Sequence, residues 1–178
     1  MLRANFRANF FRIAVVSAFA AASVLPSITA AAVYSNGTNT ANFDVTLTLV
    51  ANCVIAANPL SFGTAQGVLT SNVSVNTTLS VTCSNTTPYN VGLNAGTGTG
   101  SLGTTRYMSG TGSNTATVAF NLFQASGSTL WGNTQGTNTL GGIGNGTAQT
   151  LTVYGQVPTQ TTPMPDAYKS TITATVYF

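Results

Sequence analysis

The sequence contains no histidine, no glutamate and only two acidic residues, Asp44 and Asp166. Charged residues make up 4% of its 178 positions, and this shortage removes most catalytic chemistry. Without histidine, neither a Ser–His–Asp nor a Cys–His arrangement can be assembled. Two cysteines with no histidine and no acid nearby in sequence do not complete a metal site. A paired-carboxylate hydrolase would need Asp44 and Asp166 to converge from opposite ends of the chain. No enzyme activity, metal or cofactor is therefore expected. A nucleic-acid partner would need a basic stripe, yet three of the five basic residues (Arg3, Arg7 and Arg12) sit in the first dozen positions.

Those three arginines belong to a segment of a different kind. Ile13 to Leu25 is apolar and alanine-rich, Pro26 follows, and Ala30–Ala32 provides small residues for cleavage. This is the pattern of a secretory signal peptide over residues 1–32, too short and too interrupted for a membrane anchor. Cleavage after Ala32 would leave Arg106 and Lys169 against Asp44 and Asp166, a balance of zero and no transmembrane segment. Residues 33–178 amount to one domain. Export also decides the reading of Cys53 and Cys83, the only cysteines. In an oxidising compartment a disulfide is the default, and its loop length makes it worth roughly 3–4 kcal/mol in the chain-entropy description.

What the chain has in quantity is alternation. Asn42–Val50 places Phe43, Val45, Leu47 and Leu49 on one side and Asp44, Thr46 and Thr48 on the other, the signature of a strand with one buried face. Either it is the first strand of its own sandwich, or it is an arm that fills a slot in another copy; periodicity alone favours the first. Val73–Cys83 alternates over its whole length, with Cys83 on the apolar side. Tyr89–Leu93, Val118–Gln124, Thr150–Val157 and Tyr168–Phe178 repeat the pattern, and Arg106–Met108 offers a short pairing segment. Residues 95–103 and 134–147 read as loops rich in glycine, threonine and asparagine. No 3.6-residue period follows the leader, so the expected fold is an all-β sandwich. Such folds guard exposed edges with charge; this chain has almost none to use, so another copy is a natural cover.

Other candidate sites are weaker. The glycine-rich runs Gly96–Gly100 and Gly141–Gly146 lack the Lys-Ser/Thr of a phosphate loop and a βαβ setting, and read as turns. Trp131 with Tyr107 could stack on a sugar, which keeps a small carbohydrate-binding module open, although a lone tryptophan is more often packed in a core or interface.

The order of several segments carries a resemblance. F-D-V-T-L-T-L-V precedes Cys53, then come L-S-F-G, L-S-V-T-C ending at Cys83, Y-N-V-G-L-N-A-G, R-Y-M, and N-L-F-Q followed by L-W-G. T-V-Y-G-Q-V-P and D-A-Y-K-S-T-I-T-A-T-V-Y-F close the series. Together they resemble the spore coat protein U domain family, which includes the major subunits of archaic chaperone–usher pili.

The resemblance implies an immunoglobulin-like β-sandwich lacking its last strand, completed by a donor strand from a neighbouring subunit. Residues 33–52 would be tail and donor strand, with Phe43, Val45, Leu47 and Leu49 as its plugs. Residues 53–178 would be the incomplete domain, with Ile172, Ala174, Val176 and Phe178 lining the acceptor groove. Cys53 and Cys83 match the family's bridged pair. The implied partners are identical or homologous subunits, a periplasmic chaperone and an outer-membrane usher, and the implied location is the cell surface, reached through the periplasm. The implied role is a filament subunit serving adhesion and biofilm formation. A shaft subunit is favoured, since residues 33–178 leave no room for an added binding domain. A coat-type secreted protein that completes its own sandwich is the alternative within the same family.

Overall fold

The computed structural model describes residues 37–64, 69–125 and 127–178; the signal-peptide reading of residues 1–32 lies outside them. The chain divides into two units, Met1–Val45 and Thr46–Phe178. Of the first, residues 37–45 are described and carry no assigned strand. The second is all-β, and no helix among the described residues is long and apolar enough to cross a membrane.

The alternating segments become strands: β1 (Cys53–Ala57), β2 (Val73–Cys83), β3 (Pro88–Leu93), β4 (Arg106–Gly110), β5 (Thr117–Phe123), β6 (Leu140–Ile143), β7 (Ala148–Val157), β8 (Tyr168–Lys169) and β9 (Ala174–Tyr177). They form a six-stranded sheet in the order β1-β2-β7-β5-β4-β8 and a three-stranded sheet in the order β6-β3-β9. Every strand pairing is antiparallel. The inner faces meet in one core. Leu79, Val81, Val118, Phe120, Leu122, Val153 and Val157 come from the larger sheet, and Tyr89, Val91 and Leu93 from the smaller. This is the two-layer solution open to strands with one apolar face.

Cys53 and Cys83 face each other across the first pair of the β1–β2 ladder and are joined as a disulfide. Both are buried, so the bridge ties the start of the domain to the end of its longest strand.

Three elements differ from the sequence expectation. Leu140–Ile143 lies in a stretch read as loop but is strand β6. Its centre is Gly141–Gly142, which has no side chains to alternate. The Tyr89 ring occupies the space over Gly142, where an added Cβ would come within 2.4 Å of the ring. The C-terminal run expected as one strand is two: β8 joins the larger sheet through β4, and β9 joins the smaller through β3. Phe123, which the alternation of Val118, Phe120 and Leu122 assigns to the outer face, is nevertheless buried, and its backbone bridges to Leu130.

Two polar groups hold the layers together. Trp131 is fully buried and donates its indole Nε1–H to the Val91 carbonyl at 2.8 Å. Its carbonyl accepts a 2.6 Å bond from Arg106 Nη2, which also donates to Leu93 O at 2.9 Å. Arg106 Nε donates to Asn94 O at 3.0 Å. Arg106 is buried with carbonyls, not a carboxylate, as its partners. Burial pulls its pKa down to about 10, which still leaves it charged at neutral pH. One cation from β4 thus satisfies backbone acceptors at the end of β3 and beside Trp131, where strand ladders do not reach.

A second knot fixes the loop between β7 and β8. Asp166 accepts from Asn114 Nδ2 at 2.9 Å, from the Thr111 backbone at 3.0 Å and from the Ala167 backbone at 2.7 Å. Tyr168 donates its hydroxyl to Met164 O at 2.6 Å. At the other end of the loop, Leu69 donates its backbone N–H to Thr162 Oγ1 and Gln160 donates to Leu69 O.

Arg106→Met is expected to lower unfolding stability by about 2–4 kcal/mol, because it strands buried carbonyls. Urea denaturation followed by the fluorescence of Trp131 measures this directly; a loss below about 0.5 kcal/mol, the level of a neutral surface change, would contradict the assigned role. The Asp166 carboxyl is held below its usual 3.8 by the Asn114 side chain first and by the Ala167 and Thr111 donors after it. A depressed acid stabilises fully above its unfolded pKa and loses that contribution as pH falls through the folded value. Wild type should therefore lose more urea resistance than Asp166→Asn between pH 5 and pH 2. Equal losses in the two proteins would rule the knot out as an acid-sensitive contact.

Candidate interaction site

The arm offers apolar side chains with nothing over them. Phe43, Val45, Leu47 and Leu49 are each between 82% and 85% exposed. The segment expected as a strand has no assigned strand pairing. Alternation makes these residues one side of an extended segment; it does not by itself supply the neighbouring backbone that a sheet requires.

The smaller sheet ends on an uncovered strand. β9 pairs with β3 along one edge, and no described strand pairs with its other edge. Across that edge lies β1, close to β9 but not paired with it, and itself the last strand of the larger sheet. Two sheets therefore finish side by side on unpaired edges, and neither carries an acidic or basic residue within the strand. Such edges are open templates for another strand.

The predicted groove residues fall unevenly along this edge. Ile172, Ala174 and Val176 are partly buried and pack against the core. Phe178 lies beyond the end of β9 and is 59% exposed. Ile172 precedes β9 and is not itself in a strand.

A cavity of about 740 Å³ opens toward the same core from one end of the domain. Leu60, Phe62, Leu69, Met108, Met164 and Tyr168 contribute to its wall, and none of the four predicted groove residues does. Phe62 meets the core edge-on through Phe120, with ring centroids 6.3 Å apart. Leu60 and Phe62 come so close to β7 that a Cβ on Gly155 would sit 2.7 Å from Leu60 and 3.1 Å from Phe62. The one ionisable acid on the wall is Asp166, tied by its hydrogen bonds to Thr111 and Asn114. The wall mixes apolar side chains with the hydroxyls of Ser61, Thr64 and Thr162 and one hydrogen-bonded carboxylate, a lining that can receive apolar side chains and holds no paired acid and base. The sequence hinted at this wall only through L-S-F-G; no alternation marks residues 162–167 as part of it.

Trp131 is not available to a sugar. It is fully buried, with its indole N–H already bonded to Val91 O, so it packs in the core and the alternative of a sugar platform with Tyr107 has no exposed tryptophan. Asp166 is consumed in its knot, and Asp44 lies in the exposed arm.

Comparison with known proteins bears on this geometry. The crystal structure of the CsuC–CsuE chaperone–tip adhesion subunit pre-assembly complex, from archaic chaperone-usher Csu pili of Acinetobacter baumannii, contains a similar chain. It is 26% identical, with a TM-score of 0.54, over 74% of this protein and 40% of that chain. This protein therefore spans less than half the length of that relative. The E. coli Hda pilus minor tip subunit HdaB matches at 15% identity and a TM-score of 0.36, over 70% of this protein and 79% of that chain. No curated protein matches. The Spore Coat Protein U domain model matches residues 39–175, a span that takes in the arm from Phe43, the disulfide, both sheets and β9 as far as Thr175, and on that match the chain belongs to the Spore Coat Protein U domain family.

Proposed function

We propose that this protein is a structural subunit of a secreted surface filament of the archaic chaperone–usher kind, in which the arm of one copy pairs with β9 of the next. The observation that carries the reading is the coexistence of two unmet needs in one chain. The arm has four exposed apolar side chains in strict alternation, and the smaller sheet stops at a strand whose apolar residues are only partly covered. Phe43 to Leu49 and Ile172 to Phe178 have equal length, each spanning about 20 Å when extended.

Four plugs at about 1.5–3 kcal/mol each would contribute roughly 6–12 kcal/mol before the costs of association. Backbone bonding along β9 adds to this. In such strand addition the main chain provides strength and alternate side chains set the register. Phe43, Val45, Leu47 and Leu49 are the donor plugs in this reading, and Ile172, Ala174, Val176 and Phe178 flank the receiving edge. Because donor and acceptor surfaces differ, repetition builds an open filament and not a closed ring.

The partners follow from the same need. A subunit with an uncovered edge must be protected until it is joined, and the similar chain comes from a chaperone-bound complex. A periplasmic chaperone, an outer-membrane usher and other copies of this chain are the expected partners, and the cell surface the destination, with adhesion and biofilm formation as the service. The role is non-enzymatic. A self-completing coat protein would bury the arm, whereas all four of its plugs are exposed.

Leu47→Asp is expected to abolish polymers while leaving Trp131 fluorescence and unfolding unchanged. Denaturing electrophoresis without heating and negative-stain microscopy read the polymer; persistent filaments would overturn the reading. With so little charge at the contact, filaments should also survive 1 M NaCl, where ion pairs are screened to about 3 Å. Dissociation by salt alone would point to a different kind of contact.

A further inference from the structure

We propose that the outer face of the larger sheet carries a binding site for a neutral saccharide, centred on Tyr154 and framed by Ser74, Asn76, Asn121 and Gln156. The site is separate from the buried Trp131, and it exists whether or not copies exchange strands.

The strand registers place it. Asn76 on β2, Tyr154 on β7 and Phe123 on β5 stand opposite one another in one cross-strand row, and Ser74, Gln156 and Asn121 make another. Residues paired across an antiparallel ladder share a face. Between the two rows lie Gly155 and Leu122, which turn inward: Leu122 belongs to the core, and a Cβ on Gly155 would meet Leu60. Both rows therefore point outward. Ser74, Asn76, Phe123, Tyr154 and Gln156 line a concavity of about 360 Å³ there.

Size narrows the occupant. A folded partner needs roughly 800 Å² of surface on each side, whereas this hollow falls at the small end of sites for small molecules. An added peptide strand finds no free backbone on β7, which pairs with β2 on one side and β5 on the other. The ligand must be met by side chains.

Those side chains define its chemistry. Amides elsewhere hold the fold together: Asn58 donates to Thr78, Asn114 to Asp166 and Gln124 to Asn138 O, while Asn94 and Asn133 accept from Thr173 and Tyr177. Among the described residues, the side chains of Asn76, Asn121 and Gln156 and the Tyr154 hydroxyl make no such bond, and Asn76 is exposed with the other three half-buried. An amide sets a donor and an acceptor side by side, which suits a pair of neighbouring hydroxyls. Tyr154 adds an apolar ring with a polar tip. A pyranose has the complementary make-up, an apolar face of C–H groups bordered by hydroxyls. Charge selects the neutral class. Arg106 is buried and Lys169 lies on β8 at the far edge of the sheet, so no cation is at hand for a phosphate, sulfate or uronate.

Position gives the site a use. Under the strand-donation reading the arm joins at β9 of the smaller sheet, which leaves the outer face of β7 open in each copy. A filament would then present a row of weak sites, and engaging several together raises binding by about 10²–10⁴ over one.

Saturation-transfer NMR and calorimetry on the wild-type chain, with maltotriose, cellotriose and chitotriose as probes, test the site. At least one probe is expected to bind saturably, with a single-site Kd on the order of 1 mM. Tyr154→Ala should weaken it about tenfold or more, and Asn76→Ala and Gln156→Ala about threefold to tenfold each. Thr150→Ala, farther along the same face of β7, should change nothing, and the acidic trigalacturonate should not bind. No saturable binding of any neutral probe up to about 20 mM would overturn the site. Binding that survives all three substitutions, or equal binding of trigalacturonate, would do so too. If Tyr154→Ala loses the native fluorescence of Trp131, the two amide variants decide. Leu47→Asp separates this proposal from strand donation: its unpolymerised chains should bind the same probe with single-site affinity, and their failure to bind would count against the site. Persistent filaments in that variant would overturn strand donation and leave the saccharide site standing.

Discussion

The Arg106 guanidinium is the tie on which the two unequal sheets depend. Pairing satisfies most of the backbone, but the end of β3 and the turn at Trp131 lie where the ladders stop. A fully charged group buried without a carboxylate is costly in general. It is tolerated here because the carbonyls of Leu93, Asn94 and Trp131 already converge on it and would otherwise go unbonded. The cation is therefore better viewed as backbone completion than as half of an ion pair. With the Trp131 indole bonded across to Val91, it links β4 of the larger sheet to β3 of the smaller through the core.

That spacing leaves the far side open. The larger sheet is long and fully paired from β2 through β4, whereas the smaller is only three strands wide and ends at β9. The core beneath β9 is consequently covered from one side only, which is why Ile172, Ala174 and Val176 are half-buried while Val91 and Leu93 of the adjacent strand are not exposed at all. Scarcity of charge fits this arrangement. An edge that stays free in solution is usually protected by lysine or proline; β1 and β9 carry neither.

The polar knots have a related purpose. Asp166, Asn114, Thr111 and Tyr168 hold the loop beside the cavity with short, directional bonds. The loop is therefore a wall of defined shape despite having no strand over residues 158–167. Local order there comes from side chain–backbone bonds, which leave the apolar surface of Met164 facing outward.

Alternation is a local property, and everything that follows from it could be read in the residues: the all-β class, the long β2 and β7, and the inward side of each; the bridge between Cys53 and Cys83 was legible for a different reason, the oxidising compartment implied by the leader. The apolar side of the arm was visible through alternation, since Phe43 to Leu49 alternate whether or not a partner is present. Other features depend on neighbours distant in the chain, and no local pattern carries them. Gly141–Gly142 became a strand because Tyr89 needs the space over it. Trp131 became core rather than a sugar platform because Val91 and Arg106 reach it. Tyr168–Phe178 was divided between two sheets because β4 and β3 claim its ends separately. The residues alone thus determine which segments want a buried face, because side-chain period is set within a few positions; which surface buries each one, and which edge is left unpaired at β9, is settled only by contacts between segments far apart in the chain.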